Sequence, residues 1–286
     1  MKITEARMSA LNLAQSLDHF VVPVDDLIIA EEFYVRVFGG VITKRNGLNV
    51  RQRKRGAVPH TFIQIGGKRM GVYLQSEERA QPTSARGLPT YSFTTTPRGL
   101  EAVMKDLDEL GARFDSPVKN PYPFADQCLF FTDPAANHYA VYTPTGATKN
   151  TNGANGRMSA VGYIELEAPD VNVSIEFYKN VLGFEPQSRS ENGKQAMLKM
   201  ASGQTLILTE APFVSKGLVM SRKVPGPHIA FYVPAEKWSA ALAHLDQIGI
   251  ANGDRGAAKE RRDGQGGTYM DDPAGYVIQF ITDGME

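Results

Sequence analysis

One cysteine, Cys128, stands in the 286 residues of this chain. An intrachain disulfide is therefore excluded, as is a metal centre drawing two thiolates from one chain. Within the apolar run CLFF, Cys128 reads as a buried strand residue and not as a reactive thiol. Charge of one sign is lacking too: Lys plus Arg and Asp plus Glu are both 31. That balance lacks the basic footprint of a nucleic-acid binder. No apolar run approaches the roughly 20 residues that span a bilayer, so no membrane partner is expected. The opening stretch MKITEARMSALNLAQ carries Glu5 and no long apolar core, which argues against a signal peptide. A cytoplasmic location is the resulting expectation.

What the chain does have is repetition. LDHFVVPV, residues 17–24, alternates as a strand; Asp25 and Asp26 then offer helix caps, and Ile29, Phe33, Val37 and Phe38 follow at helical spacing up to Gly39. Three strand-like pieces come next. The pattern recurs from LPTYSFTT, through a helix opened by Pro97 and stopped by Gly111, to ARFDSPV, QCLFFTD and NHYAVYT as strands. GATKNTNGANGRM, residues 146–158, has no periodicity and reads as a linker. Beyond it the cycle repeats: Tyr163 falls on His19, Phe177 on Phe33, Tyr178 on Tyr34 and Gly183 on Gly39 at a constant offset. TDPAANHYAVY and DDPAGYVIQF close the two halves. An internal repeat of this length is the mark of a duplication. The predicted organisation is an extension over 1–16, a first module over 17–145, the linker, and a second module over 159–286.

The segments EFY-x-x-V-F-G at 32–39 and EFY-x-x-V-L-G at 176–183, with the DPA turns at 133–135 and 272–274, resemble the vicinal oxygen chelate superfamily. Glyoxalase I, extradiol dioxygenases and the bleomycin- and fosfomycin-resistance proteins belong to it. The resemblance implies an α+β fold: four βαβββ units paired into two glyoxalase-like half-barrel modules. It also implies metal ligands on the first and last strand of each unit. Those places fall on His19, Gly71, Thr90 and Ala140 in the first half. In the second half they fall on Tyr163, Ile207, His228 and Gln279. Taken half by half, neither set supplies the three or so donors that a catalytic ion needs. No metal and no cofactor is therefore expected, with a divalent ion on non-standard ligands as the lesser reading.

Strand alternation then sorts side chains between faces. The first cup is expected to present His19, Tyr73, Gln75, Thr90, Ser92, His138 and Tyr142. The second is expected to present Tyr163, Glu165, Thr209, His228, Tyr232 and Gln279. In the second cup Glu165, His228 and Tyr163 are the catalytic candidates, Glu165 with His228 forming an acid/base pair. Gln279, Tyr232 and Thr209 there, with His19, Tyr73, Thr90, His138 and Tyr142 in the first cup, are the ligand-binding candidates. His60 begins a strand, His244 is read as a surface residue, and RQRKR at 51–55 as a solvated hairpin tip. The function expected is binding, or metal-independent conversion, of a small polar or aromatic metabolite. Two alternatives stand beside it: a metal-dependent extradiol dioxygenase or glyoxalase-like enzyme, and an antibiotic-sequestering protein. A homodimer is compatible with the exposed strand edges.

Overall fold

The computed structural model describes residues 13–54, 58–74, 89–146, 157–211, 227–253 and 267–282. Each of the four repeats forms a strand, a helix and three further strands, in part or in full. The first comprises β1 (Ser16–Val24), a helix Leu27–Phe38, β2 (Val41–Asn46), β3 (His60–Ile65) and β4 (Lys68–Leu74). The second comprises β5 (Thr90–Thr94), a helix Pro97–Glu109, β6 (Val118–Tyr122), β7 (Ala125–Thr132) and β8 (His138–Pro144). The third comprises β9 (Ala160–Ala168), a helix Val171–Phe177 that loosens into a π-turn at Tyr178–Leu182, β10 (Glu185–Arg189), β11 (Gln195–Lys199) and β12 (Thr205–Glu210). The fourth comprises β13 (His228–Tyr232), a helix Ala235–Gln247, β14 (Gly267–Asp271) and β15 (Val277–Ile281).

The caps form where the residue types demand them. Asp26 accepts from the Ile28 and Ile29 amides at 2.7 and 3.1 Å, and Asp170 caps the helix of the third repeat in the same way. Gly39 ends the first helix with φ 66°, a conformation that a β-carbon would strain. RQRKR falls, as expected, in the exposed connection of the antiparallel β2–β3 hairpin, where Val50–Lys54 forms a short helix started by Asn49, whose side chain accepts from the Gln52 amide. Two local expectations are corrected. ARFDSPV is no regular strand, because it pairs through the isolated bridge of Phe114 to Phe131. His244 is buried, its Nε2 donating to the Asn180 carbonyl at 2.7 Å, an oxygen that lies within the π-turn.

Hydrogen-bonded strand order is β14-β15-β13-β1-β4-β3-β2 in a seven-stranded sheet and β10-β11-β12-β9-β5-β8-β7-β6 in an eight-stranded one. The fold is thus α+β with two curled sheets. The chain divides into two compact units, Met1–Phe20, Arg86–Leu88 and Glu165–Glu286 in one, Val21–Ala85 and Pro89–Ile164 in the other. His19 therefore sits in the same unit as the fourth repeat and the third repeat from Glu165 onward.

Each unit has an aromatic core under its sheets. In the second unit Phe38 packs against Phe93, Phe131 and Tyr139 with centroids 4.9–5.7 Å apart. In the first, Phe184 meets Phe231 at 5.3 Å and Tyr178 at 6.0 Å. The two sequence motifs of each half meet in these cores. The Tyr34 hydroxyl donates to Asp133 of the DPA turn, and Asn137 donates to the same carboxylate at 2.7 Å. Tyr178 donates to Asp272 at 2.9 Å. Burial raises the Asp133 carboxyl above its ordinary value and pushes Asp272 up to about 6. A helix tyrosine latched to a turn aspartate is what the EFY and DPA motifs build.

Candidate functional site

Alternation predicts the helix-facing residues well. Ile164, Leu166, Ile229, Phe231, Ile278 and Phe280 are all buried. It does not predict which strands become sheet neighbours, and here the expected cups change. His228, Tyr232 and Gln279 lie on the seven-stranded sheet, whereas Tyr163, Glu165 and Thr209 lie on the eight-stranded one. Likewise His19 and Tyr73 are on the first sheet, and Thr90, His138 and Tyr142 on the second. Gln75 is outside the described residues. The physical reason is that alternation fixes the face of a residue within its strand, while sheet order is set by pairing between distant segments.

Glu165 and His228, expected to form an acid/base pair, thus stand on strands of different sheets. Glu165 accepts from the Thr209 hydroxyl at 2.7 Å, and Thr209 in turn accepts from the Gln195 amide at 3.1 Å. This polar ladder runs along half-buried strands of the eight-stranded sheet.

Tyr163 lies on β9 of the same eight-stranded sheet. It is fully buried among Tyr122, Phe124 and Tyr142, with centroids 5.1–5.8 Å away. Its hydroxyl lies 3.7 Å from the Cys128 thiol, and its backbone is held by the Ser92 hydroxyl, which donates to the Tyr163 carbonyl at 2.7 Å. Burial pushes the neighbouring Tyr142 hydroxyl up to about 12, leaving it neutral at physiological pH. Aromatic rings occupy the family's ligand position in this unit. Tyr163→Ala is expected to cost roughly 3–5 kcal/mol of stability, as other large aromatic truncations do, measured by chemical unfolding; Tyr163→Phe, which keeps the packing, should cost under about 1 kcal/mol.

Thr90 and His138 do come together. They pair across β5 and β8, and Thr132 of β7 pairs with His138 from the other side, so the three share one face. They line an open groove of about 760 Å³ with Phe130 and Arg113. Tyr73 stacks on His60 at 4.3 Å, and burial holds the His60 ring below the ordinary histidine value.

The strongest constellation joins residues that the sequence placed in different cups. His19 Nε2 and His228 Nε2 are 3.1 Å apart, with both rings buried. Asp18 Oδ1 lies 2.6 Å from the other His19 nitrogen, Nδ1. Tyr269 meets the His228 ring edge-on at 5.5 Å. Tyr269 is also the cross-strand partner of Gln279, and Ala230, two residues beyond His228, is its partner on the other side. Cross-strand partners share a face, and so do residues two apart on a strand; Gln279 therefore faces the same side as His228. Gln279 is 1% exposed, and its Oε1 is buried without a hydrogen-bond partner among the described residues. Such an oxygen is costly unless something meets it.

These residues fit a divalent ion. Two imidazole nitrogens that bind one ion at ~2.0–2.1 Å stand about 3 Å apart, and an amide oxygen is an acceptable third donor. Were Asp18 to accept from a neutral His19 at Nδ1–H, the Nε2 lone pair would face His228. Two imidazoles and an amide make a set with no carboxylate donor. No group of three or more His, Cys, Asp or Glu that could hold a metal ion is found among the described residues, so a cation here would draw on the Gln279 amide beside the two imidazoles. Sequence reasoning missed Asp18 and Tyr269. Asp18 was signalled by its place directly before His19; Tyr269 required the register of the β14–β15 hairpin.

Comparison with known proteins agrees with this architecture. The family model described as Glyoxalase/Bleomycin resistance protein/Dioxygenase superfamily matches residues 16–141 and 160–280. A protein of Bacillus subtilis named catechol-2,3-dioxygenase is 31% identical over 127 residues, 43% of this chain and 41% of that protein. The match thus spans less than half of the relative's length. Among solved structures, a dioxygenase of Bacillus subtilis described as putative superposes with a TM-score of 0.70 at 14% identity, covering 94% of this chain and 86% of the other. Glyoxalase I of Zea mays superposes with a TM-score of 0.64 at 13% identity, covering 94% and 92%. At these identities the structures speak for the fold alone. Among the described residues no helix is long and apolar enough to cross a membrane. With its model matched twice along the chain, this protein belongs to the glyoxalase/bleomycin resistance/dioxygenase superfamily.

Proposed function

We propose that the chain is a divalent-cation-dependent member of its family that acts on a small polar or aromatic metabolite at His19, His228 and Gln279. The carrying observation is the approach of the two imidazole Nε2 atoms to 3.1 Å inside a buried site. It reverses the preference drawn from sequence, which counted donors half by half and so never counted His19 with His228. When bound, the ion would polarise oxygen atoms of the ligand as a Lewis acid. The chain's own residues do the rest. Asp18 holds His19, Tyr269 packs against His228, and burial of both histidines keeps water from competing for their nitrogens. A catechol-like vicinal diol is the first substrate to try, supported by the name of the Bacillus relative.

The neutral glutamine favours a second reading, binding without turnover, because a 2-His-1-carboxylate set is what iron oxygenases use. Elemental analysis of protein purified without chelators, followed by a turnover assay on catechols, distinguishes the two. One firmly held ion per chain with product formation supports the first reading. An ion without product supports the second, and no ion under any loading condition defeats both. Gln279→Glu adds a negative charge at the third donor. It is expected to tighten Zn²⁺ binding by at least about tenfold, roughly 1.4 kcal/mol, read by competition with a chromogenic chelator.

A further inference from the structure

Asp18 carries chemistry that goes beyond the cation reading. Its Oδ1 is 2.6 Å from His19 Nδ1, and the histidine is 1% exposed while the Asp18 side chain is 20% exposed. We infer that Asp18 is a positioning residue: it fixes His19 as the Nδ1–H tautomer, aims its Nε2 lone pair at His228, and preorganises the site for whatever electrophile enters. A carboxylate accepts but does not donate, so the proton between Asp18 and His19 belongs to Nδ1. A neutral ring has one proton, and Nε2 then carries its lone pair instead. The 3.1 Å contact with His228 Nε2 consequently takes its proton from His228. The two histidines are thereby made unequal. His19 is ready to donate its lone pair, whereas His228 must move its Nε2 proton to bind a cation. Asp18, nearer the surface, keeps its own charge partly hydrated while it sets this asymmetry.

The affinity part of this inference rests on the cation reading; the tautomer part does not. The test is ¹⁵N NMR of histidine-labelled, cation-free full-length protein, with His19 assigned through a His19→Gln variant, alongside Zn²⁺ titration of wild type, Asp18→Ala and Asp18→Asn. Wild type is expected to show His19 as Nδ1–H with a downfield, exchange-protected proton. Asp18→Ala should lose that proton and weaken Zn²⁺ binding about 10–100-fold, the range typical of outer-shell partners. Asp18→Asn, whose amide oxygen still accepts, should keep the tautomer and recover most of the affinity. A wild-type His19 protonated on Nε2 overturns the inference without any variant. So does an Asp18→Ala protein with unchanged tautomer and unchanged affinity. Wild-type protein that is folded, shows the Nδ1–H tautomer and binds no Zn²⁺ defeats the cation proposal and leaves the role of Asp18 standing.

Discussion

His228→Ala is expected to weaken Zn²⁺ binding by more than about a hundredfold, beyond the roughly 10–100-fold attributable to an outer-shell partner. Three donors are about the minimum for a firmly held divalent ion, and this substitution leaves His19 and Gln279. It also leaves the buried His19 Nε2 facing the hole where its 3.1 Å partner stood, a loss of about 1–3 kcal/mol in stability. The two effects separate in a double-mutant comparison. His19→Ala should abolish binding equally, and the double variant should bind no worse than either single one, because residues that act as one unit are not additive. Full zinc affinity in folded His228→Ala would remove the histidine pair from the site. Isothermal titration supplies the affinities, and urea unfolding the stabilities.

Asp272→Asn is expected to change the pH dependence of stability by roughly 3 kcal/mol, because each tenfold change in proton affinity is worth about 1.36 kcal/mol. Burial drives the Asp272 carboxyl from 3.8 up to about 6, against the opposing hydrogen bonds from Tyr276, Tyr178 and Ala274. A carboxyl with a raised native pKa binds its proton more tightly folded than unfolded. Its contribution is fully present below about pH 4 and is lost as pH rises through about 6. Asparagine keeps the Oδ1 that caps the Ala274 and Tyr276 amides at 2.9 and 2.8 Å and cannot ionise. Urea midpoints taken between about pH 4 and pH 7 should therefore diverge, wild type falling relative to Asp272→Asn as pH rises. Parallel curves would show that the native carboxyl is not raised. Asp133, moved in the same direction by burial in the other unit, should give the same pattern in Asp133→Asn.

The duplication, the strand-helix order and the helix-facing core were legible because they depend on local periodicity. The buried Ile164, Leu166 and Ile229 follow from alternation alone. The motifs were legible as markers, but their chemistry was not. Nothing in EFY or DPA announces that Tyr34 will donate to Asp133 across 99 positions of sequence. The site was half legible. His19, His228 and Gln279 were identified as family ligand positions, yet His19 was grouped with Tyr73 and Thr90. Joining His19 to His228 across 209 residues takes the hydrogen-bonded order of β13 beside β1, a long-range pairing that no local pattern encodes. His244 was misread for a related reason. Its helix position is polar in pattern, but the π-turn at Tyr178–Leu182 sets a carbonyl, Asn180, against it.

Everything proposed for the histidine pair requires one cation site that joins residues from the first and last repeats. Anomalous diffraction from crystals soaked in Zn²⁺, with data on both sides of the zinc edge, would reveal it. One peak is expected in the first unit, within bonding distance of His19 Nε2, His228 Nε2 and Gln279 Oε1. A fully occupied ion held elsewhere, or no peak at the histidine pair at saturating zinc, would refute the site.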